Sequence, residues 1–599
     1  MQSVFNSRNI KFKSLYGVIS KNETIDFTVY IPRGIGTKNI KICIIDCDEK
    51  ETSFSMDWIR IEKEFDIYKV SHKFNNIGIF WYYFKLDTFF GTKFISKGFL
   101  GEGYISDNII AYQQTVIEEK YKNPSWFGEG ITYNIFPDRF NRSKMPKKTG
   151  YKGERIIHEN WNELPEYKPD EKGEILNIDF FGGDLKGIEE KLDYLKELGV
   201  TTIYLNPIFE ACSNHRYNTG DYEKIDPMLG TEKDFVNLCK KAKSKKINII
   251  LDGVFSHTGF NSKYFNGRGL YNSVGAYQSK KSKYFKWYNF KNWNDEYSSW
   301  WGIYTLPQVN EMEPSFINYI IKNKNSILKK WLNLGASGYR LDVADELPDK
   351  FIEELTKACK ETKEDALVLG EVWEDASSKI SYGERRKYFL GKELDSVMNY
   401  PLRDATISFI KNGYAENFME TMENIRENYP KNVYYNLMNI IGTHDTPRIL
   451  TVFGTEDYEW NESKDYKANH SINNKKLEYA KKLLKLAVTI QFTMPGSPCI
   501  YYGDEIGTQG FEDPFNRKTF DWDSKNTDIL EFYKKLGTLR AENDILKKGD
   551  INYIYAKGDI LIYERSLNDK SIKIGINRGN KTFNKFGIKL EPLQSIIIL

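Results

Sequence analysis

From residue 130 to residue 545 the chain switches repeatedly between two hydrophobic periods. Short β-branched or aromatic runs read as strands at 130–140, 201–205, the well-buried 249–251, 338–342, 367–370, 396–400, 439–441 and 497–502. Between them lie stretches whose apolar positions recur at three and four. In 186–198 these are Ile188, Leu192, Leu195 and Leu198, ended by Gly199, and in 314–334 they include Phe316, Ile320, Ile327 and Trp331. Further helices are expected over 231–246, 347–362, 473–491 and 527–542, with others after the sixth strand to about 428. Eight strand-plus-helix units in succession predict an α/β fold, a parallel (β/α)8 TIM barrel.

The pattern is flanked twice and interrupted twice. Residues 1–122 read as β alone, with strands at 27–31, 40–45 and 79–86 between Gly, Asn and Asp turns, and predict an N-terminal β-sandwich used for carbohydrate binding or dimerisation. A helix-prone polar link from Gln113 to Lys122 leads into the barrel segment, 123–545. After Phe140 a charged excursion containing Pro146, Pro165 and Pro169 runs to about Asp179 over the rim. Residues 258–313 are dense in aromatics, among them Tyr264, Phe265, Trp287, Trp300 and Trp301, and predict an inserted domain. The tail, 546–599, is β-rich and predicts a C-terminal β-sandwich.

Composition narrows the function. A net charge of +3, from 86 basic and 83 acidic residues, gives no support to a nucleic-acid or anionic-membrane partner. No run reaches transmembrane length, and the first residues lack an apolar signal region, so a cytoplasmic protein is expected. The six cysteines (Cys43, Cys47, Cys212, Cys239, Cys359, Cys499) have no zinc-site or disulfide spacing.

The strand ends carry the chemistry. Gly338-Tyr339-Arg340-Leu341-Asp342 places Arg340 and Asp342 two apart, on one face of an otherwise apolar strand. Asp252 with His257, Glu371, and Asp445 with His444 end three other runs. Active residues at several strand ends are what a barrel rim requires. Three carboxylates at one mouth do not all stay ionised, and a raised carboxyl beside an ionised one suits acid-catalysed glycosidic cleavage. Glu371, after Leu367-Val368-Leu369-Gly370, has the most apolar local sequence and is expected to be the raised acid. Asp342, with Arg340 on its face, is expected to stay ionised as nucleophile. A carboxylate cage for magnesium is the other reading, and His257 and His444 weigh against it.

These segments, with Leu306-Pro307-Gln308-Val309-Asn310, Phe180-Phe181-Gly182-Gly183-Asp184-Leu185 and Asn214-His215-Arg216-Tyr217-Asn218-Thr219, resemble the α-amylase family of glycoside hydrolases over roughly residues 125–545, and within it the neopullulanase and cyclomaltodextrinase-like enzymes. The resemblance identifies 258–313 as domain B and implies a retaining double displacement. Asp342 is then the nucleophile, Glu371 the acid/base and Asp445 the carboxylate that holds the distorted sugar. Arg340 orients Asp342, His257 and His444 hydrogen-bond the sugar, Tyr217 stacks on it, and Asp252 is structural. The implied substrates are maltooligosaccharides, cyclodextrins, starch fragments or pullulan, cleaved at α-1,4 and also α-1,6 bonds. A transglycosylase on the same site is the alternative. A catalytically silent binding barrel would have lost a carboxylate, and all three are present. A homodimer through the N-terminal domain is a further expectation.

The chain departs from the family pattern at several points. Ser256 stands where Asn usually precedes the third-strand histidine, and Asn141-Arg142-Ser143-Lys144 replaces an often acidic, calcium-binding stretch. The usual calcium ligands are thus partly missing, so no cofactor and no metal site are expected, with calcium the one ion left open because Asp184 remains. Gln308, Val309 and Asp345 also differ from the commoner residues.

Overall fold

Parallel strands need crossover connections, and the alternating pattern supplies a helix for most of them. The computed structural model describes every residue except 1–2, 119–122, 146–149, 172 and 174. Eight parallel strands form one sheet: β1 (Thr132–Ile135), β2 (Thr202–Leu205), β3 (Asn248–Gly253), β4 (Gly338–Leu341), β5 (Leu367–Gly370), β6 (Ser396–Val397), β7 (Met438–Ile440) and β8 (Ser497–Tyr501). The first six are neighbours in chain order, β8 pairs with β1 and β7 with β8. A parallel bridge between Met398 and Met438 closes the ring. Tyr204, Ile250, Leu367, Leu369, Met398, Met438, Ile440 and Cys499 pack as one buried cluster. The expected barrel is present.

Register sets the rim. Asp252 lies opposite Arg340, and Leu341 opposite Gly370. One step further along the same ladders, the Glu371 N–H donates to Leu341 O at 3.0 Å and the Asp342 N–H to Gly253 O at 3.2 Å. Asp342 and Glu371 therefore leave adjacent strands at the same height.

The chain separates into two compact units. One comprises 1–123 with 374–394 and 417–434; the other comprises 124–373, 395–416 and 435–599. In the first, a seven-stranded and a three-stranded sheet enclose a core that includes Phe5, Phe27, Tyr82, Phe84 and Tyr112. Arg8 reaches Glu420 at 3.1 Å and the buried Glu427 at 2.9 Å, and the Arg385 guanidinium lies 4.2 Å over the Trp81 ring. In the second unit the C-terminal residues form a four-stranded sheet and a hairpin around Ile560, Ile562, Ile588 and Leu590.

Several elements differ from the pattern. The helix over 186–198 is two, Leu185–Glu190 and Leu192–Glu197, bent at Lys191 (φ −101°, ψ 9°). The helix over 314–334 breaks where the polar run Lys322-Asn323-Lys324-Asn325-Ser326 interrupts its apolar stripe, and resumes at Ile327–Leu334. The first strand ends at Ile135, and Pro137 opens a short helix to Phe140. The sixth is only Ser396–Val397, since a helix starts at Tyr400 with Pro401 in its first turn. The link expected as helical is a strand over Tyr112–Ile117, in which Tyr112 and Val116 turn into the core; 119–122 lie outside the described residues. Pro146 also lies outside them. Cys43 is buried, but Cys47 is exposed beyond the strand end.

Arg540 is fully buried, and its hydrogen bonds go to backbone rather than to a carboxylate among the described residues. It donates to five backbone carbonyls: Gly496 at 2.5 Å, Gly128 at 2.7 Å, Leu546 at 3.1 Å, and Gly130 and Phe492 at 3.2 Å. Burial pushes its pKa down to about 9, with Arg565 adding to the fall. Arg540→Met removes a donor from each of these carbonyls and is expected to lower the unfolding free energy by about 3 kcal/mol or more, read by urea denaturation.

Candidate active site

Arg340 on β4 is the hub. Its Nη1 donates to Asp342 Oδ1 at 2.7 Å and to Asp252 Oδ1 at 2.8 Å, and its Nη2 lies 2.9 Å from Glu371 Oε2. All four side chains are buried or nearly so. One guanidinium thus faces three carboxylates. Burial, with Glu371 and Asp252 as like-charged neighbours, raises Asp342 well above the usual carboxylate range although Arg340 opposes the shift. This corrects the expectation that Asp342 simply stays ionised beside its arginine.

Glu371 is also placed differently from expectation. Apolar residues precede it in sequence, yet its carboxylate sits among donors: the Val343 N–H at 2.8 Å, the Trp373 indole at 3.1 Å and Arg340. The Val343 contact depends on strain. Val343 has φ +38° and ψ 58°, a left-handed conformation that a β-branched residue rarely adopts. That twist directs its N–H at Glu371, one residue past Asp342.

Asp445 follows β7. Its Oδ2 lies 3.0 Å from His444 Nε2 and its Oδ1 3.5 Å from Arg517 Nη2. Burial first, then Glu371, pushes its pKa up to about 7 against the pull of Arg517. Tyr217 comes from the loop after β2. Its hydroxyl donates to Asp252 Oδ2 at 2.8 Å, accepts from Asn206 at 3.1 Å and touches His444 Nε2, and its ring lies parallel to His444 at 5.4 Å. Arg216, fully buried with φ +61°, turns the chain into that position and donates to Asn214 O at 2.8 Å.

His257, after β3, shares a hydrogen bond between its Nδ1 and the Ser256 hydroxyl at 3.0 Å, so Ser256 holds this ring. Burial pushes His257 down to about 4 and His444 well below its ordinary value, so both are neutral rings near neutral pH. Neither His257 Nε2 nor His444 Nδ1 has a hydrogen-bond partner among the described residues. The inserted segment is tied to the same place: Val309 N–H donates to Ser256 O at 2.9 Å, Thr258 N–H to Pro307 O at 3.1 Å, and His257 bridges Gln308. Its aromatics form a small core in which Phe265 packs on Tyr288 and Tyr297.

Asp342, Glu371, Arg340, Tyr217, His444, Asp445 and Asp252 are thus linked by direct contacts, with His257 beside the Tyr217 backbone. Four residues of the network escape sequence reasoning. Tyr204 donates to Asp252 Oδ2 at 2.7 Å, Asn206 holds Tyr217, Trp373 holds Glu371, and Arg517 holds Asp445. Tyr204 and Asn206 stand two apart at a strand end, the spacing that singles out Arg340 and Asp342. Arg517, in the loop after β8, has no such signal.

The sequence matches the family described as "Alpha amylase, catalytic domain" over residues 134–528. The chain belongs to the α-amylase family. The family resemblance carried by the motifs therefore holds. A cyclomaltodextrinase of Geobacillus thermopakistaniensis is 32% identical over 82% of this chain and 76% of that protein. An amylopullulanase of Thermoanaerobacter thermohydrosulfuricus is 37% identical over 93% of this chain but 40% of that protein. The chain spans less than half the length of the curated amylopullulanases at the head of its matches. Among solved structures, the type III pullulan hydrolase of Thermococcus kodakarensis superposes with a TM-score of 0.67 at 25% identity over the whole of both chains.

The stretch where many α-amylase family members hold calcium does not fit that ion here. Asp184 Oδ2 accepts from the Ser143 hydroxyl at 2.6 Å and its Oδ1 from the Gly187 N–H at 2.5 Å. Arg142 places its guanidinium against three backbone carbonyls, His158, Phe181 and Glu159, each at 3.2 Å. A cationic side chain occupies ground that a cation needs. Among the described residues no group of three or more His, Cys, Asp or Glu is arranged to hold a metal ion. Exhaustive chelation is expected to leave the thermal midpoint unchanged; a calcium-reversible fall in a melting curve would refute this.

Proposed function

We propose that this chain is a retaining α-glucan hydrolase that cleaves α-1,4-glucosidic bonds, and also α-1,6 bonds, in maltooligosaccharides, cyclodextrins, starch fragments or pullulan. One observation carries the reading: Asp342 and Glu371 stand at the same height on adjacent strands and share Arg340, with Asp445 facing them. The amylopullulanase and cyclomaltodextrinase relatives support the substrate class.

In this reading the cluster of three carboxylates and one guanidinium retains a proton, which belongs to the Asp342–Glu371 pair rather than to either alone. Substrate binding settles it on Glu371, which delivers it to the glycosidic oxygen as the bond breaks. Asp342, ionised by the same transfer, attacks the anomeric carbon and forms a glycosyl ester. Glu371 then takes a proton from water, which displaces Asp342. Asp445 holds the hydroxyls of the distorted sugar with the neutral His257 and His444 rings beside it, and the Tyr217 face lies against its carbons. Trp373, half exposed beside Glu371 and stacked on Tyr400 at 4.1 Å, offers a surface for a sugar acceptor. It supports transfer to a second sugar as a competing outcome.

Dimerisation through the N-terminal unit belongs to the same proposal. Trp58, Ile59 and Ile61 stand exposed on the edge strand Asp57–Glu62, a feature that a partner would cover. A cytoplasmic location is supported by six cysteines that are all free. No helix among the described residues is long and apolar enough to cross a membrane.

Asp342→Asn keeps the shape and removes the nucleophile. Hydrolysis of maltotriose is expected to fall by roughly 10⁴-fold or more with the thermal midpoint retained. Turnover near the parent's would refute the assignment. Proton NMR in the first minutes of digestion is expected to show the α-anomer at the newly formed reducing end, as double displacement requires; an initial β-anomer would reject the mechanism.

A further inference from the structure

We propose that Tyr204, a fully buried tyrosine of β2, is a positioning residue that sets the pH range over which Asp342 and Glu371 work, acting through Asp252 and Arg340. The inference rests on the functional reading above. Tyr204 Oη donates to Asp252 Oδ2 at 2.7 Å, the oxygen that also accepts from Tyr217 Oη at 2.8 Å. The other oxygen of Asp252 shares Arg340 Nη1 with Asp342, at 2.8 Å and 2.7 Å. Asp252 and Asp342 therefore each take one hydrogen of the same nitrogen and share one guanidinium charge, and the phenols bias how that charge is divided.

Two phenolic donors favour the charged form of Asp252, because a hydrogen bond to a carboxylate stabilises its ionised state. Burial raises Asp252, and the Arg340 charge followed by the Tyr204 and Tyr217 hydroxyls opposes that rise. A charged Asp252 draws on Arg340 and repels Asp342, and it is among the groups that raise Asp342. Asp342 is thereby kept protonated to higher pH than Arg340 alone would allow. Tyr204 is suited to this work. Burial holds its phenol protonated, Asn206 Nδ2 donates to its oxygen at 3.3 Å, and its ring lies 5.8 Å from the Arg340 guanidinium carbon.

The charged and titratable groups around Asp252 come from every side of the mouth. Tyr217 faces it from the loop after β2, Arg340 and Asp342 from β4, and Glu371 from β5. His444 and Asp445 lie beyond Tyr217 on the β7 side, with Arg517 behind Asp445. Of these, Tyr204, Tyr217 and Arg340 are in direct contact with Asp252. Removing the Tyr204 hydroxyl lets Asp252 hold a proton over more of the pH range. Arg340 then turns its charge to Asp342, which is ionised at lower pH. A merely structural tyrosine would change the rate without moving the profile.

The test is the pH dependence of kcat/KM on maltotriose for the full chain, for Tyr204→Phe, Asp252→Asn and the double variant. In Tyr204→Phe both limbs are expected to move to lower pH by about half a unit, with a larger shift in the same direction for Asp252→Asn. In the Asp252→Asn background Tyr204→Phe is expected to add no further shift. Limbs that stay in place in a folded, active Tyr204→Phe overturn the role of Tyr204. So does an equal added shift in the double variant, which Asp252→Asn still reveals if the single Tyr204 variant does not fold. A parent chain inert on maltotriose overturns the functional reading itself and this proposal with it.

Discussion

One buried guanidinium facing three carboxylates is the constraint on which the site depends. Arg340 cannot neutralise Asp252, Asp342 and Glu371 together, and burial removes the water that would otherwise screen them. Burial raises Asp342 and Asp252 against the pull of Arg340, which favours a proton held within the cluster. In the proposed mechanism the acid needs a proton to give, so there the electrostatic difficulty and the chemistry have the same solution. Register makes it unavoidable: Asp252 lies opposite Arg340, and Asp342 rises beside Glu371 from the next step of the adjoining ladders.

Around this centre the protein spends conformational freedom rather than extra charge. Val343 is forced into a left-handed turn so that its N–H meets Glu371, and Arg216 turns likewise just before Tyr217. The inserted segment pairs its exit with its own entry at Ser256 and Thr258, so the His257 ring is fixed by backbone bonds made locally. These devices hold the reacting groups before substrate arrives, which is what electrostatic preorganisation requires.

Much of this was legible in the chain because charged residues at strand ends stand out against apolar runs. Arg340, Asp342, Glu371 and Asp445 were visible for that reason, and so was the eightfold alternation. What escaped was hidden by ordinary residue types. Tyr204 reads as a strand aromatic and Asn206 as a turn residue, although both obey the same two-residue spacing. Arg517 approaches Asp445 from a loop with no periodicity. The surroundings of Glu371 were misread because four apolar neighbours in sequence do not make an apolar pocket when Val343 and Trp373 direct donors into it. Helix lengths failed where a polar run, as at 322–326, interrupts the stripe, or where a bend, as at Lys191, leaves no compositional mark.

The first compact unit has a consequence for how this chain can be inherited. It is assembled from three separated stretches, and Arg8 meets two acids, one of them buried, that lie more than four hundred residues later in the chain. A genetic crossover near residue 123 would carry off the sandwich and leave Glu420 and Glu427 behind in the other parent's sequence, one of them buried without its arginine. The N-terminal segment is therefore not freely exchangeable among lineages. A recombinant that carries 374–394 and 417–434 along with it keeps both ion pairs of Arg8.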